Sequence, residues 1–144
     1  METFPHHYTV EASVRPAGEA TLSALGVTEI ASMPPRQFGG PGDRWPPEEL
    51  LMASIAGCFV LNFQAIAGAS KFNWISLHAR TEGVLDRLEG KMRFIRVVTH
   101  AKLIAPKDAD VERAKRLLEK AESTCPISNT LNCERVLTLE VVFS

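Results

Sequence analysis

The chain has 144 residues, with 16 lysines and arginines against 17 aspartates and glutamates and a formal net charge of -1. That length fits one domain, 1–144, able to bury roughly two-thirds of its unfolded surface behind a single core, with no disulfide needed to hold it. Basic residues interleaved with acidic ones give no general attraction to phosphate, so nucleic acid is not an expected partner.

The opening METFPHHYTV carries an early acid and no apolar stretch. Neither a secretory signal nor a transit peptide is read there, and the expected compartment is the cytoplasm. In that reducing setting Cys58, Cys125 and Cys133 are expected as free thiols, and their spacing matches no zinc or thioredoxin pattern. Residues 8–15 alternate Tyr8, Val10, Ala12 and Val14 against Thr9, Glu11, Ser13 and Arg15, the pattern of a strand with one dry face. Pro16, Ala17 and Gly18 turn it back, and short strands over 20–24 and 27–31 complete a small antiparallel sheet. Residues 32–47 are too rich in proline and glycine for helix or strand. Phe38 and Trp45 in this stretch are apolar anchors, which argue for an ordered loop over something buried.

Residues 50–70 form the longest uncharged run, with Cys58 near its centre. Its length is about that of a bilayer span, but Ser54, Gly57, Asn62, Gln64 and Gly68 dilute it and no basic flank orients it. A buried central helix is the expectation, and no membrane partner is foreseen. Pro46 and Pro47 before Glu48 and Glu49 mark its start. Apolar on nearly every side, such a helix must be covered on nearly every side, which one small sheet struggles to do.

Residues 74–85 and 92–104 read as a long hairpin turned at 86–90. The apolar phase of its second strand switches near Ile95 and Arg96, predicting a bulge, and His78 and His100 fall on polar faces. Asp108 is placed to cap a helix whose apolar positions are Val111, Ala114, Leu117, Leu118 and Ala121. Pro126 puts Cys125 just beyond that helix, and 136–144 closes the chain as a strand with Leu137, Leu139, Val141 and Phe143 on its dry face.

Two cysteines at punctuated positions are the main chemical candidates. A thiol reacts as thiolate, and burial disfavours that form, so Cys58 needs a cation nearby. Arg15, Arg36 and Arg44 are the arginines outside helices. Pro47-Glu48-Glu49-Leu50-Leu51, then Ala53 and Gly57-Cys58-Phe59, and later Cys125-Pro126-Ile127-Ser128-Asn129, together resemble the osmotically inducible protein C and organic hydroperoxide resistance (OsmC/Ohr) family. The order of elements fits that family over nearly the whole chain.

The resemblance implies an α+β fold of antiparallel sheets around a long buried central helix, assembled as an intertwined homodimer. It implies a thiol peroxidase without metal, flavin or haem, reducing organic hydroperoxides and reset by an external dithiol or a lipoylated protein. Carried over, Cys58 is the peroxidatic thiol and Cys125 the resolving one, with Glu48 and Arg15 holding thiolate and peroxide and Ser128 and Asn129 capping the loop. The glycine-rich context of the family's arginine is replaced by Val14-Arg15-Pro16-Ala17-Gly18, which leaves Arg44 as the other choice. Trp45-Pro46 stands where many members have Thr-Asn, and Cys133 is extra. Met33, Phe38, Trp45 and Phe59 are the expected apolar substrate lining. Ten residues of helix rise about 15 Å, so Glu48 and Cys58 of one straight helix cannot share a site, whereas two antiparallel copies could bring them together. A non-catalytic apolar-ligand binder and a thiol redox sensor are the competing readings.

Overall fold

The computed structural model describes Met1–Ser144 as two compact units, Met1–Leu51 and Met52–Ser144. In the first, β1 (Glu11–Ser13), β2 (Ala20–Ser23) and β3 (Ile30–Ser32) form an antiparallel sheet in that order. The strands are shorter than the alternation suggests. Tyr8, Val10 and Val14, read as a dry face, fall outside β1 and are 88%, 67% and 69% exposed. The following loop is ordered, with a single 3₁₀ turn at Arg36–Phe38 and Ser32 Oγ donating to Trp45 O at 2.7 Å. Gly40 is required there, since a Cβ would lie 1.6 Å from the Pro34 carbonyl oxygen.

Helix α1 runs over Pro47–Ala69, as the proline and acid signals indicate. By length and composition it could cross a membrane, but its buried residues Ile55, Phe59, Phe63 and Ala67 follow one i, i+4 row, and the last three enter the core of the second unit. The helix is therefore not buried all round within one chain: Leu61 is 64% exposed.

In the second unit β4 (Ser76–Leu88) and β5 (Lys91–Ala105) form the hairpin, with β6 (Glu134–Phe143) on the far side of β5. The hairpin turn is tighter than the 86–90 reading, only Glu89 and Gly90. Both have positive φ, 52° and 78°, as a type I′ connection requires. Val84 pairs Arg96 and Leu85 pairs Phe94, so Ile95 is the extra residue of the expected bulge.

Of the expected antiparallel sheets the second is mixed, since β6 runs parallel to β5. Helix α2 (Val111–Ser123) carries the chain back across the sheet, so the next strand enters at the same end as β5 did. The cap of α2 is Asp110 rather than Asp108: its side chain accepts from Arg113 N, while Pro106–Ala109 is spent on a turn.

Odd-numbered residues of all three strands share one face. Leu77 pairs Leu103, Ala79 pairs Ala101, and Leu139 and Val141 lie opposite Ala101 and Leu103. Ala101 and Leu103 meet Phe59 and Phe63 of α1 and Ala114, Leu118 and Ala121 of α2 in one core, and Leu77, Ala79, Leu137, Leu139 and Val141 pack against it. Phe143, read as the end of that dry face, is 41% exposed at the strand terminus. His78 and His100 are exposed on the opposite, polar face, where His100 Nδ1 lies 2.5 Å from Thr138 Oγ1.

Phe63 is fully buried and meets Trp74 edge-on at 5.2 Å. Phe63→Ala should lower the unfolding free energy by about 3–5 kcal/mol, read from the urea midpoint, since neighbours on α1, α2 and β5 cannot collapse into the space together.

Candidate active site

Cys58 stands at mid-length in α1 and is half-buried; Cys125 is fully buried. The two Sγ atoms lie 2.6 Å apart, with both residues as free thiols. Sixty-seven residues separate them in sequence, and packing of α2 on the α1 core row is what closes that gap.

Cys125 is where proline places it, after the last turn of α2, but it also caps a second, five-residue helix, α3 (Pro126–Thr130). Its sulfur accepts from Ser128 N at 3.5 Å. A backbone N–H thus faces the sulfur. Ser128 is fully buried, and its hydroxyl donates to Glu122 Oε2 at 3.4 Å. Asn129 donates to Ser123 O at 3.1 Å and accepts from Arg135 Nη1 at 3.1 Å, so both residues hold the turn as expected.

Glu122 and Arg135 were not among the candidates. The one available signal was Glu122 standing three residues before Cys125, near the end of the helix. Burial pushes the Glu122 carboxyl above the usual carboxylate range, opposed by Arg135 at 3.9 Å and the Ser128 hydroxyl. Burial likewise pushes the Cys58 thiol up, the adjoining Cys125 thiol and the Glu122 charge push it further, and the Ile127 backbone N–H pulls it back. No cation is among these groups, and all of them but the Ile127 N–H favour the protonated thiol.

Phe59, expected in a substrate lining, is wholly buried in the core of the second unit. Cys133 is a free, half-buried thiol just before β6.

The remaining candidates belong to Met1–Leu51. Arg15 follows β1 and is exposed. Arg44 donates to Glu19 at 2.7 Å and pairs with Asp43 at 3.3 Å, and the Glu19 hydrogen bond holds it firmly protonated. Glu48 is half-buried in the first turn of α1, with Oε1 shielded from solvent and without a hydrogen-bond partner. Phe38 and Trp45 are each 50% exposed, and Met33 is half-buried. Around Trp45 the loop forms an open depression, lined also by Gly42, Asp43, Arg44 and Glu49, more polar than the apolar lining expected.

The sequence profile of the OsmC-like protein family matches residues 40–140. An uncharacterized protein of Acinetobacter baylyi is 30% identical over 126 residues, covering 87% of this chain and 85% of its own. Peroxiredoxin OsmC of Escherichia coli is 24% identical over 95 residues, 66% of each chain. Among solved structures, an organic hydroperoxide resistance protein from Elizabethkingia anophelis, with crystallant-derived thiocyanate bound, superposes at a TM-score of 0.77 with 24% identity, covering 100% of both chains.

Because the Glu122 charge raises the Cys58 pKa, its removal has a definite sign. Glu122→Gln should speed iodoacetamide alkylation of Cys58 about two- to fivefold at pH 8, where the thiolate fraction limits the rate. Slower alkylation would mean that Glu122 serves as a base.

Proposed function

This chain belongs to the OsmC-like protein family, and from that premise we propose that it is a cysteine-based peroxidase that reduces organic hydroperoxides to alcohols. The observation that carries the reading is the 2.6 Å separation of the Cys58 and Cys125 sulfurs. In the first step the Cys58 thiolate attacks the outer peroxide oxygen and the O–O bond breaks. The alkoxide leaves and takes up a proton as the alcohol, and Cys58 becomes a sulfenic acid. Cys125 then attacks that sulfur, water leaves, and a disulfide forms. An external dithiol, free or as a lipoylated protein, returns both residues to thiols. The likeness to a peroxiredoxin and to an organic hydroperoxide resistance protein supports this chemistry. A cytoplasmic setting suits a cycle that needs a reductant.

The cation that Cys58 lacks among its neighbours is assigned to Arg15, and the orienting carboxylate to Glu48, whose unpartnered Oε1 is ready to accept a hydrogen bond. Met33, Phe38 and Trp45 remain the proposed apolar contacts for the substrate. The active unit is a homodimer. One α1 row alone is buried within a chain while Leu61 and the apolar side chains about β1 are exposed, which is surface for a second copy to cover. An antiparallel partner would bring Glu48 of one copy to Cys58 of the other.

Cys58→Ser should abolish reduction of cumene hydroperoxide in a dithiol-coupled assay, and activity within about tenfold of wild type would sink the proposal. Cys125→Ser should retain the first turnover but accumulate added oxygen on Cys58 under excess peroxide, seen by intact-mass spectrometry.

The shared site is tested by refolding equal amounts of a Glu48→Ala chain and a Cys58→Ser chain together. Random pairing should restore up to about a quarter of wild-type sites, because each mixed dimer has one site with both residues intact. No recovery in verified mixed dimers would place Glu48 in its own chain's site.

A further inference from the structure

Asn62 lies one helical turn beyond Cys58 on α1, so the two side chains share a face. Its Nδ2 donates to Ala121 O at 2.8 Å and to Thr124 Oγ1 at 2.9 Å. The Ala121 carbonyl can only accept, which fixes the amide with its nitrogen toward α2. Thr124 Oγ1 in turn donates to Lys120 O at 2.7 Å, so that hydroxyl is committed as donor there and as acceptor to Asn62. The two oxygens belong to the last turn of α2, whose carbonyls lack helical partners, and the next residue is Cys125.

Otherwise α1 meets α2 through apolar side chains, Phe59, Phe63 and Ala67 against Ala114, Leu118 and Ala121. Such packing is not directional, and small alanines leave room for one helix to slide on the other. A hydrogen-bonded amide does not tolerate that slide, because its bonds weaken steeply with distance and angle. Half-buried, Asn62 also cannot exchange its partners freely for water.

We infer that Asn62 is a positioning residue for the thiol pair: its amide ties the turn of α1 carrying Cys58 to the residue preceding Cys125, and so sets the register in which the two sulfurs meet. The inference rests on the proposed pairing of Cys58 with Cys125 but not on turnover of a peroxide. Its function is to raise the effective concentration of one thiol at the other.

That quantity is measurable without a peroxide. In buffers of oxidised and reduced dithiothreitol, the two thiols become one disulfide while one oxidised dithiothreitol becomes its dithiol, with two hydrogens and two electrons transferred. The fraction of the Cys58–Cys125 disulfide is read by alkylation and peptide mass spectrometry. Asn62→Leu, alike in branching and unable to hydrogen-bond, should lower the equilibrium constant about tenfold or more while keeping the circular dichroism of the wild type. Thr124→Val, which leaves the Ala121 bond in place, should lower it about threefold. A folded Asn62→Leu chain within twofold of wild type would overturn the inference. If Asn62→Leu does not fold, an unchanged constant in Thr124→Val does so instead. Absence of this disulfide in the wild-type chain also overturns it. A wild-type chain that forms the disulfide yet reduces no hydroperoxide defeats the peroxidase reading and leaves the role of Asn62 standing.

Discussion

The packing of α1 against α2 is the interaction on which the chemistry of this chain depends. A cysteine in the middle of one helix and a cysteine past the end of another are 67 residues apart in sequence, and only a shared core brings their sulfurs to 2.6 Å. The core that does this is Phe59, Phe63 and Ala67 from one helix and Ala114, Leu118 and Ala121 from the other, over the odd-numbered face of the sheet. Burial of these side chains drives the helices together, at roughly 25 cal/mol per Å² of apolar surface, but it does not choose between closely related registers. The amide of Asn62, bonded to the last turn of α2, does that.

Around the sulfurs, desolvation and local charge act against the chemistry the thiols are suited to. Burial and the Glu122 carboxylate both favour the protonated Cys58, and the Ile127 N–H is the only opposing influence among the groups that shift it. A thiol kept protonated is protected from indiscriminate oxidation. A positive charge arriving with substrate or with a second chain would shift that balance, so the same burial that quiets the thiol strengthens the effect of any cation that reaches it.

Helix α1 meets two constraints at once. It contributes one row of side chains to the core of its own chain and leaves other apolar residues, Leu61 among them, exposed. Its apolar residues go nearly all the way round, which is why its boundaries and central position were legible but its covering was not. Exposed Tyr8, Val10 and Val14 beside β1 follow the same logic: alternation shows that a face is apolar without showing which molecule covers it.

The sequence by itself determined the elements: proline and acid marked the start of α1, the phase switch located the Ile95 bulge, and the Cys-Pro step ended α2 before Cys125. These are local effects, set by dihedral restrictions and side-chain period over a few residues. Only the tertiary structure decided that β6 runs parallel to β5, that Phe59 turns into the core, that Glu122 acts on Cys58 and that Asn62 reaches the last turn of α2. The physical reason is that each depends on how α2 crosses the sheet and docks on α1. A crossover direction and an interhelical register are set by contacts between residues far apart in the chain, and no short-range pattern encodes them.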